Sequence, residues 1–136
     1  MSQKIWLSKP HLSQFEEKYV NRAFSSNWIT TIGDNINEFE YGIKNFLGTK
    51  KEIVALNSGT SAIHLALILL GVKKNDEVIC PSFTFCATAN PILYLGAKPI
   101  FVDSELDTWN MCPYYLEKAI ISRISKGKKP KAIIVV

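Results

Sequence analysis

Residues that bind metals or form disulfides are scarce in this sequence. Cysteine occurs three times, at Cys80, Cys86 and Cys112. The count is odd and no pair has CxxC spacing, so neither a zinc site nor a disulfide framework is indicated. Cys80 lies in an apolar run and reads as a small core residue. Reduced cysteines fit a cytoplasmic protein. Long hydrophobic runs are also missing. The most apolar stretch, Ile63 to Val72, contains His64 and falls well short of the roughly 20 residues that a bilayer-spanning helix takes. Met1-Ser2-Gln3-Lys4 has no long apolar stretch behind it, which disfavours a secretory signal. The expectation is a cytoplasmic location and no membrane partner.

Two nucleotide-binding patterns are absent as well. No GxGxxG follows a strand, and there is no GxxxxGK(S/T). Asp103 ends a strand, as a ribose-binding acid would, but that strand is the third expected and not the second. Dinucleotide binding is therefore disfavoured. The stretch Ser122 to Lys131 holds Arg123, Lys126, Lys128, Lys129 and Lys131 and no acid. These account for the formal charge of +4, since setting them aside leaves 11 basic residues against 12 acidic ones. A short run around Gly127 and Pro130 reads as a solvated loop. It contains no aromatic residue to stack on a base, so nucleic acid is not an expected partner.

What is present suits a soluble globular chain. Of 136 residues, 47% are hydrophobic and 21% charged, enough apolar material to bury a core. From residue 53 onward strands alternate with helices. Ile53 to Asn57 reads as a strand. Ala62, Leu65, Ala66, Leu69 and Leu70 recur at helical spacing, closed by Gly71. Glu77 to Cys80 is a second strand, stopped by Pro81. Phe85 to Leu95 reads as a helix, with Pro91 marking a first turn or a kink. Lys98 to Val102 is a third strand, Tyr114 to Ser125 a helix opened by Pro113, and Ala132 to Val136 a fourth strand.

This alternation implies an α/β fold with a largely parallel sheet flanked by helices. The continuous apolar strands imply cover on both faces. Residues 1–50 differ: Ser13 to Phe24 and Ile36 to Phe46 read as amphipathic helices around a loop from Trp28 to Asn35. Two regions are expected, 1–50 and 51–136. Ile133 to Val136 is a β-branched run with no turn or polar tail after it, so the second region is expected to be truncated.

Ser58-Gly59-Thr60-Ser61 lies between a strand and an apolar helix. The first N–H groups of a helix have no internal partner, and the helix dipole is positive there. Gly59 permits close approach, and Thr60 and Ser61 add hydroxyl donors, so a phosphate suits the turn. Spacing alone equally allows Ser58 to be a plain N-cap and Gly59 a turn residue.

A longer ordered pattern adds to this. Asn57 to Leu67, Gly71, Asp76 to Phe85, Ala87 to Asn90, Gly96 to Asp103 and Asp107 to Asn110 resemble the DegT/DnrJ/EryC1/StrS family of pyridoxal-phosphate-dependent nucleotide-sugar aminotransferases. Leu7 to Pro10, Trp28 to Thr31 and Phe39-Glu40 extend the resemblance over nearly the whole chain. The resemblance implies the N-terminal part of the large domain of a type I aminotransferase fold. It implies that Gly59 and Thr60, with Ser58 or Ser61 nearby, hold the phosphate of pyridoxal 5′-phosphate, and that Phe85 stacks on its ring. Read without the family, Phe85 would be an ordinary core aromatic. The resemblance further implies that Trp28, Thr30 and Thr31 lie near the nucleotide-sugar site, often across a homodimer interface; a solvent-exposed loop with one packed Trp is the other reading.

The implied reaction moves an amino group, usually from glutamate, to a keto group of a nucleotide-linked sugar, typically in surface-polysaccharide or protein-glycan synthesis. The family's covalent lysine and its ring-pairing aspartate are not found. Lys73, Lys74 and Lys98 match non-catalytic positions, and His64 reads as structural. No catalytic residue and no metal ligand is therefore assigned to this chain, which is expected to be inactive alone. A sugar dehydratase of the same family, with histidine for the lysine, and a non-catalytic interaction or regulatory fragment are the competing readings.

Overall fold

The computed structural model describes residues 4–6 and 8–136. The reading of Met1-Ser2-Gln3 and the Leu7 position of the family match lie outside the described residues. The chain divides into two compact units, Met1–Ala55 and Leu56–Val136.

The first unit holds α1 (Glu16–Ser25) and α2 (Asp34–Phe46). Helix α1 starts later than the expected Ser13. Gln14 has φ +77°, which a helix does not accommodate, and Ser13 instead donates its N–H to Glu16 Oε1 at 2.8 Å. Glu16 and Glu17 in the first turn suit the positive end of the helix dipole. Arg22 of α1 reaches Asp34 at 3.1 Å and Glu38 at 2.8 Å on α2. Its hydrogen bond to Glu38 raises the guanidinium pKa and lowers that of the carboxyl. Such exposed pairs orient helices more than they stabilise them. Phe15, Tyr19, Val20 and Phe24 of the apolar α1 stripe are exposed.

The second unit is an α/β layer. Helix α3 (Gly59–Leu69) precedes β1 (Glu77–Pro81), α4 (Cys86–Tyr94), β2 (Lys98–Val102), α5 (Pro113–Ser125) and β3 (Ala132–Ile133). The three strands run parallel in the order β2-β1-β3, with Glu77 opposite Lys98 and Val78 opposite Ala132. The expected fold class holds: a parallel sheet flanked by helices.

Successive side chains of a strand point to opposite faces, and β1 uses both. Val78 and Cys80 join Leu67 of α3 and Ile92 of α4 in one core cluster. Ile79 joins Val102 and Met111 in a second, packed by Leu116, Ala119 and Ile120 of α5. Helices α3 and α4 thus cover one face and α5 the other. Burial raises the pKa of the Cys80 thiol, as suits the small core residue expected there.

Three sequence expectations need correction. Ile53 to Asn57 is not a strand; Val54 is 65% exposed. Apolar composition alone does not make a strand, which needs a neighbour to complete its ladder. Strand β3 covers Ala132–Ile133 and not the run to Val136. Lys131 and Ile134 donate to the Glu77 and Ile79 carbonyls at 2.7 and 2.8 Å. The next donor on that side of β1 would be Pro81, which has no N–H. Cover on both faces is complete for β1 only; Phe101 of β2 is 56% exposed. Pro91, in addition, sits past the first turn of α4, with its ring fully buried.

The basic run around Gly127 and Pro130 is an exposed loop, as expected, but Arg123 before it belongs to α5 and is engaged. Glu77 is 3% exposed, an acid inside the strand on which both core clusters depend. Arg123 Nε and Nη2 grip its two carboxylate oxygens at 2.7 and 2.5 Å, and Lys128 Nζ lies 3.7 Å away. The fork of the guanidinium matches a carboxylate in this bidentate geometry. Bonding to Arg123 holds the Glu77 carboxyl below its ordinary range against the opposing effect of burial.

Two predictions follow from the packing. Ile79→Ala should destabilise the second unit by about 2–5 kcal/mol, read by urea denaturation, because a fully buried side chain leaves a cavity. Arg123→Met should lower the Tm by several degrees, since it strands a buried charge. The Glu77→Leu/Arg123→Met pair should recover much of the loss. The Glu77 pKa is depressed by folding, so its contribution is full above the unfolded carboxylate pKa near 4.3. It disappears as pH falls through the lower folded value. A Glu77→Gln chain should lack that component of acid destabilisation.

Candidate functional site

In a parallel α/β unit each helix runs back against the strands. Helix α3 is followed by Gly71 shortly before β1 begins, and α4 by Gly96 shortly before β2, both glycines with positive φ. Both N-termini therefore face the carboxyl edge of the sheet, where open α/β sheets bind ligands. The two helices pack side by side through Ile63 and Leu67 on α3 and Ala89 and Ile92 on α4.

Ser58 is the N-cap of α3. Its Oγ accepts the Ser61 N–H at 3.1 Å and lies 3.0 Å from Ser61 Oγ. Its carbonyl accepts the Ala62 N–H. The capping alternative is thus realised. Among the described residues, the Gly59 and Thr60 N–H groups of this first turn have no hydrogen-bond partner. A Cβ built on Gly59 would meet nothing within 4 Å, and the residue has no positive φ. Neither packing nor backbone geometry within this chain requires glycine there. The site is therefore a turn with two free amides, an unobstructed approach and the Thr60 hydroxyl beside them.

Phe85 is the N-cap of α4, in an extended conformation outside the helix expected to include it. Its side chain is 82% exposed, so it is not a core aromatic. An exposed aromatic at the carboxyl edge can offer a face to a planar ring. Around it, Ser82 Oγ donates to Asp103 Oδ1 at 3.1 Å and Ser104 N–H donates to the same oxygen at 2.9 Å. Asp103 thereby joins the ends of β1 and β2. The loop after β2 folds on Glu105, whose pKa is lowered by its bond from the Thr108 hydroxyl. Trp109 of that loop meets Phe83 with ring centroids 5.7 Å apart.

Lysines of the second unit lie elsewhere. Lys73 and Lys74 precede β1, Lys98 opens β2, and Lys126 to Lys131 precede β3, all towards the amino edge; Lys118 lies within α5, with its Nζ 4.1 Å from the centre of the Tyr114 ring. His64 sits within α3 and meets Tyr94 edge-on at 5.5 Å, in line with a structural role. Among the described residues no cluster of His, Cys, Asp and Glu is arranged to hold a metal ion. No helix there is long and apolar enough to cross a membrane.

In the first unit Trp28 and Thr30 line a pocket of about 240 Å³ with Arg22 and Asn35. Thr31 does not line it. Gly33 has φ +146°, and a Cβ there would lie 3.2 Å from Trp28 Cβ, so glycine lets the indole pack against the start of α2. Sequence reasoning missed the Glu77–Arg123 pair and the Ser82–Asp103 bridge. The first was signalled by an acid in an otherwise apolar strand; the second had no local signal.

The profile of the DegT/DnrJ/EryC1/StrS aminotransferase family matches residues 10–136. EpsN of Bacillus subtilis (strain 168) is 53% identical over all 136 residues, which span 35% of its length. GDP-perosamine synthase of Caulobacter vibrioides is 40% identical over 88% of this chain and 32% of its own. The crystal structure of a DegT DnrJ EryC1 StrS aminotransferase from Brucella abortus superposes with a TM-score of 0.79 at 35% identity. That match covers 90% of this chain and 34% of the Brucella chain. The chain therefore spans about a third of the length of these relatives.

The Ser58 cap yields a prediction independent of any ligand. Ser58→Ala should destabilise the unit by about 0.5–2 kcal/mol in urea denaturation, and Ser58→Gly by only a few tenths.

Proposed function

Because the chain belongs to the DegT/DnrJ/EryC1/StrS aminotransferase family, whose members use pyridoxal phosphate, we propose that it holds the phosphate half of such a cofactor site. The whole protein would transfer an amino group, from glutamate as donor, to a keto group of a nucleotide-linked sugar. The observation that carries this reading is Gly59: an unobstructed glycine between two free amides, at a helix N-terminus, that nothing in the fold requires.

The residues present fit the cofactor. The Gly59 and Thr60 amides and the Thr60 hydroxyl would receive phosphate oxygens, with the helix dipole favouring their negative charge. Ser58 and Ser61, bonded to each other, would hold the first turn in shape. Phe85 would cover one face of the pyridine ring and keep water from it. Bound pyridoxal phosphate supplies an electron sink for chemistry at the amino-bearing carbon. The lysine that bonds it and the acid that pairs with its ring nitrogen are proposed to come from sequence outside these 136 residues, because the chain spans about a third of the length of its relatives and Lys73, Lys74 and Lys98 lie towards the opposite edge. Trp28, Thr30 and Thr31 are proposed to face the sugar nucleotide in a homodimeric, cytoplasmic enzyme; the name of the Caulobacter relative, a GDP-perosamine synthase, supports a nucleotide-linked sugar.

The test uses the full-length protein that carries this chain. Gly59→Ala should leave the apo Tm unchanged or raise it, because alanine favours the helix. It should weaken pyridoxal-phosphate binding by roughly ten-fold or more, because the methyl fills the approach path. Unchanged affinity would remove the basis of the assignment. Phe85→Ala should weaken binding by about two- to ten-fold. Glutamate should convert the bound aldehyde to the amine form, followed by absorbance. Loss of the sugar hydroxyl without amino transfer would identify a dehydratase instead.

A further inference from the structure

With most of its surface exposed, Phe85 is placed by its backbone and by little else in this unit. That backbone sits at an unusual point. Phe85 is the N-cap of α4 in an extended conformation (φ −63°, ψ +145°), and its side chain makes no capping hydrogen bond. Helix starts favour Ser, Thr, Asp or Asn at this position, because their oxygen takes up a first-turn N–H. Phenylalanine has no such oxygen, and its neighbours close the turn instead. Thr84 Oγ1 and Thr88 Oγ1 lie 2.7 Å apart in a partly buried hydrogen bond. Thr88 also donates its N–H to the Phe85 carbonyl at 2.9 Å. A helix threonine can bond the carbonyl four residues back; Thr88 bonds the hydroxyl of that residue, which fixes the Thr84 side chain as well as the turn. Thr88 is 4% exposed, so it is held in the body of the unit and both of its bonds reach back around Phe85. The Ser82–Asp103 bond is exposed and lies three residues earlier than Phe85, and the Phe83–Trp109 contact joins two exposed side chains. Neither bears on Phe85 as directly.

We propose that Thr84 and Thr88 form a clasp that positions Phe85 to face the pyridine ring. The inference rests on the ring-stacking role proposed for Phe85. Thr84 precedes that residue and Thr88 follows it by three, so their bond spans its backbone and restricts where its Cα–Cβ bond can point. Contact between aromatic rings depends on that direction, since offset and edge arrangements are favoured over others. Ordering the side chain before the ligand arrives also lowers the entropy that binding must overcome. Both threonines are positioning residues, and neither is assigned a contact with the cofactor. Serine at position 84 keeps the hydroxyl; valine keeps the shape and removes it.

The experiment is a double-mutant cycle with Phe85 in the full-length protein. It reads the affinity of the apo form for pyridoxal 5′-phosphate and for pyridoxal, which lacks the phosphate. A device acting on the ring affects both ligands alike. Thr84→Val should weaken each by about two-fold or more, the scale of one lost hydrogen bond, and by no more than Phe85→Ala does. In the Phe85→Ala background, Thr84→Val should cause no further loss, because the residue it acts through is gone. Thr84→Ser should bind as wild type does. The Thr84→Val/Thr88→Val pair leaves no hydroxyl without a partner, so its Tm should stay near the wild-type value while affinity remains reduced. Equal losses with and without Phe85, or full affinity in either valine variant, make the threonines a structural contact and overturn the proposal. A loss confined to pyridoxal phosphate also overturns it, since that places the effect at the phosphate turn. If Phe85→Ala itself binds both ligands as wild type does, the ring-stacking reading fails instead. If Thr84→Val does not fold, Thr84→Ala is carried through the same cycle and decides by the same criteria.

Discussion

The second unit depends on one carboxylate placed where solvent does not reach. Glu77 opens the central strand, and its side chain is acceptable there only because Arg123 closes on it from α5 and Lys128 stands beyond. The same residue gives its carbonyl to Lys131 at the entrance to β3. A single position therefore fixes where α5 ends, where the following loop turns back and where the third strand meets the first. An isosteric apolar residue could fill the volume, but it would not specify which cation-bearing helix must arrive.

This pair marks the boundary of what could be read from the chain. Helix and strand order from residue 59 onward was legible because apolar residues recur with the right period and because Gly71, Gly96, Pro81 and Pro113 punctuate them. Strand ends were less legible. The run from Ala132 to Val136 looks uniform, and the ladder stops because of a proline on the neighbouring strand, which no local pattern reveals. The engagement of Arg123 was missed for a related reason: charge is read along the chain, while the acid that engages Arg123 lies 46 residues away. Ile53 to Asn57 misled in the opposite direction, because its composition suits a strand and strand formation is a property of two segments.

The candidate site divides along similar lines. The turn proposed for phosphate was visible as a glycine flanked by hydroxyls at a helix start, and the structure shows that capping by Ser58 and free amides at Gly59 and Thr60 coexist. Exposure of Phe85 removes the core alternative, which sequence left open. The joining of Ser82 to Asp103 was not visible, because it depends on two strand ends being neighbours. Asp103, which sequence placed at the end of a strand, is occupied in tying that edge together.

The parallel order β2-β1-β3 has a consequence for how the sheet forms. Pairing of β1 with β2 closes a short loop through α4 alone, whereas pairing with β3 must also enclose β2 and α5. Loop-closure entropy favours the first event over the second. Until α5 docks, Glu77 has neither Arg123 nor Lys128 and keeps its water. In that order of closure, burying Glu77 would await the arrival of Arg123 on α5, so dehydration of the carboxylate and docking of the helix would be one event.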